Sequence, residues 1–153
     1  MKFNRTVAAV AGAFGAALAA TKPTPAFTRL TPTIVNYPLS PATLISCNEE
    51  ADYPQWRLGA VFMSNQPRLL TAVKIRFETR DAFDATLQSD DLVESGSFAT
   101  GAQIKPNWTV GASHMPATAN AAKLQCSLIG SVYADGGIWT APAPAAASPS
   151  PRP

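Results

Sequence analysis

The clearest hydrophobic pattern lies in LLTAVKIRFET, where Val73, Ile75 and Phe77 alternate with Lys74, Arg76 and Glu78. A period of two puts the apolar set on one face of a strand and the charged set on the other, whereas a helix would scatter both around its circumference. DAFDATLQSDD continues the period, with Phe83, Ala85 and Leu87 set against Asp84, Thr86 and Gln88, so the two segments predict a hairpin joined around 80–82. WRLGAVFMSNQP, with Val61, Phe62 and Met63 at its centre, predicts a strand buried on more than one side. KLQCSLIGSVYADGGIWTAP places Leu124, Cys126 and Leu128 on one side of a strand and then changes phase near Ile129 and Gly130, where a bulge is expected. Asp135, Gly136 and Gly137 then form a tight turn that returns Ile138 and Trp139, the latter as a cap at the core's edge.

The remaining segments are more broken. Pro32, Pro38 and Pro41 interrupt TIVNYPLSPATLISC, so a first strand built on Ile34, Val35 and Tyr37 belongs at a sheet edge or is kinked. Leu44 and Ile45 carry the chain to Cys47, and NEEADYP reads as an acidic turn. Gly96 and Gly101 suit turns on either side of Phe98, a core plug, and NWTVGAS offers another short strand. HMPATANAAK reads as a loop or a brief helical turn. Residues 20–32 form an extended lead-in, and the Pro/Ala-rich 141–153 form a flexible tail.

Roughly six to eight short extended segments joined by Gly, Pro, Asp and Asn turns predict an all-β fold over 33–140, a small antiparallel β-sandwich that is immunoglobulin-like in general architecture. An open barrel is the alternative. Trp56 follows Cys47 too closely for an immunoglobulin domain and Leu124, not Tyr, stands two residues before Cys126, so the sandwich is generic.

Lys2 and Arg5 precede an uncharged, Ala- and Gly-rich stretch from Thr6 to Thr21, which is the layout of a signal peptide, 1–19, with Ala17 and Ala19 as its A-x-A site. The stretch is short for a bilayer-spanning helix, which needs roughly 18 to 20 residues, so no stable membrane span is expected after cleavage; an uncleaved tether is the alternative. The chain has 12 basic and 10 acidic residues, and losing Lys2 and Arg5 makes the two counts equal. Neutral charge with scattered Lys and Arg gives no basis for nucleic-acid binding. The destination is secreted or periplasmic, where the only two cysteines, Cys47 and Cys126, pair most simply as one disulfide. Without a C-x-x-C, redox catalysis has no support.

Little here suggests chemistry. His114 is the only histidine; Ser113 is adjacent, but no G-x-S-x-G elbow accompanies them, and a small hydrolase is the least favoured reading. Glu49, Glu50, Asp52, Asp81, Asp84, Asp90, Asp91 and Glu94 sit in segments read as turns, where charge is ordinarily solvated. A glycosidase would need two of them across a cleft, and calcium would use Asp81, Asp84, Asp90, Asp91 and Glu94, though no EF-hand spacing organises them. No catalytic residue, cofactor or metal is therefore assigned. A carbohydrate-binding module could use Trp56, Trp108 and Trp139, with Trp108 the best candidate for a ligand contact because it follows a Gly-containing turn and Pro106. Asn107, Trp108 and Thr109 also form an N-glycosylation sequon.

LQCSLIGSVYADGGIW, VKIRF and GSFATGAQI together resemble a class of small exported bacterial proteins of uncharacterised function. In that class an alternating strand precedes a G-x-F-x-x-G turn, and a cysteine strand runs into an aromatic-Ala-Asp-Gly turn ending in Trp. The resemblance covers residues 55–140 and implies a secreted β-sandwich without implying an activity, cofactor or partner. The favoured reading is a non-enzymatic structural or interaction module that meets an envelope or extracellular protein; the alternative partner is polysaccharide.

Overall fold

Two-residue alternation governs where each strand goes, and the buried positions of neighbouring strands line up in rows across each sheet. The computed structural model describes residues 30–52, 55–111 and 121–143, and nine strands form among them. In the first sheet β4 (Leu70–Arg80) lies between β8 (Lys123–Tyr133) and β5 (Thr86–Phe98). The far side of β8 is shared by two short strands, β1 (Thr31–Val35) and β9 (Ile138–Thr140). In the second sheet β3 (Gln55–Ser64) pairs with β2 (Ala42–Asp52) on one side and with β6 (Gln103–Ile104) and β7 (Asn107–Val110) on the other.

The sandwich is all-β and holds one disulfide, but its sheets are mixed. β1 runs parallel to β8, with Ile34 opposite Cys126. Pairing of these sequence-remote segments needs no hairpin between them, and β1 instead leads into β2 of the opposite sheet. β1 takes in Thr31 and Pro32, while Tyr37 falls in the turn that follows it.

Val73, Ile75 and Phe77 are buried, and Lys74, Arg76 and Glu78 face out, as the alternation requires. They meet Leu124, Cys126 and Leu128 of β8 and, from the other sheet, Leu44, Cys47, Trp56, Leu58, Ala60 and Phe62. Lys74 pairs with Gly130 but Ile75 with Leu128, so Ile129 is the extra residue of a bulge, at the predicted phase change. Phe98 plugs the core edge-on to Phe62, with ring centroids 5.4 Å apart. Gly101 adopts φ 77° and forms a turn, whereas Gly96 lies inside β5: a Cβ there would stand 2.7 Å from the Phe98 ring. Close approach of the ring, not a turn, is what requires that glycine.

The sulfurs of Cys47 and Cys126 are bonded, with the two Cα atoms 6.5 Å apart, and join β2 to β8 across the core. The bond closes a separation of 79 residues.

Two expectations fail in instructive ways. Phe83 is in the 81–85 turn and 92% exposed, Leu87 lies on the outer face of β5, and Gln88, Asp90, Leu92 and Glu94 face inward opposite Thr79, Phe77, Ile75 and Val73. Asp84 at φ 66° and the irregularity between Thr79 and Arg80 shift the phase of the strand, which then follows Leu92 and Phe98. Residues 48–52 of the acidic segment after Cys47 are not a turn either. β2 continues through it to Asp52, so Glu49 keeps the phase of Cys47 and points inward.

Candidate functional site

The side chains at the rim of the sandwich are largely tied to one another. In the turn between β4 and β5, Asp81 Oδ1 accepts hydrogen bonds from the backbone N–H groups of Phe83 (2.8 Å) and Ala85 (2.9 Å), which fixes the loop. Asp84 accepts from Lys123 Nζ at 2.7 Å, and that bond holds its carboxyl below the usual carboxylate range. On the outer face, Arg76 forms a two-point pair with Asp91 at 2.6 and 2.9 Å, lowering the Asp91 pKa mainly through the hydrogen bond. Arg80 pairs with Glu78 at 2.6 Å. The five acids considered for calcium thus divide between a turn and opposite faces of β5. Among the described residues no group of three or more His, Cys, Asp or Glu side chains could hold a metal ion.

The aromatic-Ala-Asp-Gly turn has a structural role. Arg68, in the loop between β3 and β4, lies over the Tyr133 ring with its guanidinium carbon 3.8 Å from the centroid, and donates to Asp135 Oδ1 at 2.6 Å. Asp135 Oδ1 also accepts from Gly137 N at 3.0 Å, and Gly136 takes φ 83° to close the turn. A Cβ on Gly137 would come within 2.7 Å of the Arg68 guanidinium, so the bare glycine makes room for the clamp. Arg68, Leu69, Tyr133, Ala134 and Asp135 line a shallow notch here of about 200 Å³.

Trp108 packs inward on β7. Its ring meets Phe77 edge-on with centroids 5.9 Å apart, and its Nε1–H donates to the Val93 carbonyl at 3.3 Å. That bond ties sheet to sheet and engages a backbone acceptor of edge strand β5. Trp56 is buried, and Trp139 packs against the core from β9. Asn107 and Thr109 of the sequon are exposed. Ser113 and His114 fall outside the described residues, as does most of the segment read as a loop or helical turn.

Two features escaped the sequence reading. Glu49 lies in the row formed by Leu58 and Trp108 on the inner face of the second sheet. Its Oε2 is buried without a hydrogen-bond partner, and burial first, then the charge of Asp90, pushes its pKa up to about 7. The signal lay in the alternation from Cys47, which places residue 49 on the cysteine's face. The second feature is Leu39, at φ 62° and 89% exposed. Ser40 N donates to Tyr37 O at 3.2 Å, so Pro38 and Leu39 occupy the central positions of a turn with the type II pattern, and the second of these ordinarily takes Gly or Asn. Proline was the available signal; nothing in the sequence marks the residue after it as left-handed.

Fold and side chains together define a small β-sandwich protein with a single disulfide. No family model matches the chain, and no curated protein matches it significantly. Among solved structures it is similar to a DUF1425 family member from Shewanella sp. pv-4, with 14% identity, a TM-score of 0.38, and coverage of 57% of this chain and 75% of that one. A likeness this loose carries no argument about relationship or activity. No helix among the described residues is long and apolar enough to cross a membrane.

Proposed function

We propose that the protein is an exported, non-enzymatic interaction module whose contact with an envelope or extracellular protein includes the Leu39 turn. The observation that carries this reading is Leu39 itself. A branched side chain at positive φ costs roughly 1–2 kcal/mol, and this one also gives up the burial that would offset it. Strain retained at an exposed position is a mark of function when the fold draws no benefit from it.

The alternative, polysaccharide binding through Trp108, loses support because the indole N–H is already bonded and the ring already packs on Phe77. The signal-like leader and the disulfide support the exported setting.

The test immobilises the disulfide-intact protein and passes solubilised envelope proteins and polysaccharides over it, with Leu39→Asn and Trp108→Phe alongside. A protein that binds saturably, is identified and re-binds when purified should lose about tenfold in affinity to Leu39→Asn, corresponding to 1.4 kcal/mol, and little to Trp108→Phe. Saturable polysaccharide binding weakened by Trp108→Phe and unaffected by Leu39→Asn would overturn the proposal.

A further inference from the structure

β1 is held to the rest of the sandwich by few groups. It pairs in parallel with Lys123 to Ser127 along one flank of β8. Thr31, Pro32 and Thr33 are exposed, and here only Leu30 and Ile34 pack against the core, neither of them fully buried. The carboxamide of Asn36 makes the last attachment: it donates to the Leu44 carbonyl at 3.0 Å and accepts from the Leu44 N–H at 2.9 Å.

Between Asn36 and Ala42, where β2 begins, the chain makes one bend. Its far end is fixed, because Pro41 is wholly buried and its carbonyl accepts from Asn65 N at 2.9 Å. The bend itself runs from Tyr37 to Ser40 and is closed by the backbone bond from Ser40 N to Tyr37 O. Its neighbours favour a straight chain. Tyr37 and Ser40 each precede a proline, which pushes them towards extended backbone, and the ring-locked φ of Pro38 and Pro41 suits an extended chain as well. Leu39 alone has to take φ 62° for the chain to turn back, a strained conformation for a branched side chain. Straightening Leu39 would therefore turn the bend into an extended link with the loss of that one bond. Such a link from Asn36 to Pro41 spans about 17 Å, enough to carry β1 clear of its own β8 while β2 stays in place.

We propose that two copies of this chain form a dimer by exchanging β1: the bend opens, and Thr31 to Val35 of each copy pairs with Lys123 to Ser127 of the other. The flank of β8 itself identifies its occupant. It offers parallel bonding positions in one register and a place for Ile34 opposite Cys126, and β1 of a second copy fits both as its own β1 does. Asn36 likewise meets the Leu44 backbone of that copy. Each contact of β1 is thus made again in the dimer, and the difference lies in the bend, strained in the monomer and relaxed in the dimer. That relief works against the entropy lost on association, and a short connection under strain is where exchange costs least. The exchange starts from the same residue as the proposed function but does not depend on it, since the dimer needs no second kind of protein.

Sedimentation of the full, disulfide-intact protein, equilibrated over a range of concentrations, should show a monomer–dimer equilibrium. Leu39→Asn accepts the bent conformation and should weaken association about fivefold for each of the two bends, about thirtyfold in all. To tell exchange from side-by-side contact, chains carrying Thr33→Cys alone are equilibrated with chains carrying Gln125→Cys alone and then mildly oxidised. Thr33 and Gln125 are opposite each other on β1 and β8, so exchange predicts a covalent dimer with one chain of each kind. Ser89→Cys, on β5, in place of Gln125→Cys should give far less of it. A monomer at every concentration, an association unchanged by Leu39→Asn, or mixed cross-linking no greater with Gln125→Cys than with Ser89→Cys would overturn the proposal. Binding of an envelope protein is read separately, by the capture experiment, so either idea fails without the other.

Discussion

Replacing both cysteines, Cys47→Ala with Cys126→Ala, should lower the unfolding free energy by about 4 kcal/mol. The loop spans 79 residues, so the cross-link removes much of the unfolded chain's freedom. The bond also joins opposite sheets at buried positions, and nothing else covalent holds β2 against β8. A domain of this size ordinarily has only about 5–15 kcal/mol in hand, so the loss is a large share of the total. Urea denaturation of the double variant, against the oxidised protein under the same buffer, checks it. A loss under about 1 kcal/mol would mean that the unfolded chain is already compact or that the packing alone holds the sheets together.

The second large effect is expected at Phe62. This side chain is wholly buried, lies between Leu44 and Ile104 in the second sheet, and meets the edge of the Phe98 ring. Phe62→Ala should cost about 3–5 kcal/mol, from lost transfer energy and from the cavity left where both sheets contribute atoms. Phe98→Ala should cost less, because Phe98 lies at the margin and retains slight exposure. Since the rings touch, the double variant should lose less than the sum of the singles, by about 0.5–1.5 kcal/mol. Denaturation of all three variants measures the coupling, and strict additivity would contradict the packing described for the pair.

How much of this was legible before the structure depends on how far a period of two could be carried. From Val73 to Phe77 it held, because each apolar residue faces the core and each charged one faces water. The bulge at Ile129 was readable because the apolar positions change phase there. The same reasoning failed across the 81–85 turn: a left-handed Asp84 reset the phase, and sequence hydrophobicity gave too much weight to Phe83 and Leu87. Glu49 was lost to composition, since acids near a proline look like a turn, although the cysteine two residues earlier fixes its face. The parallel contact of β1 with β8 depends on long-range pairing that local pattern does not encode. The three tryptophans were visible as aromatic surface, but only the geometry reveals that Trp108 is occupied by Phe77 and the Val93 carbonyl.

The reading as an interaction module rests on Leu39 being held in its turn against the preference of the backbone. Comparing the thermal unfolding of Leu39→Asn with that of the wild type tests this most directly. Asn tolerates the left-handed conformation and no core contact is lost, so a gain of about 1 kcal/mol, the lower end of the strain at this position, is predicted, seen as a higher Tm. An unchanged or lower Tm would show that Leu39 contributes to the fold itself, and the argument for a contact at this turn would fall.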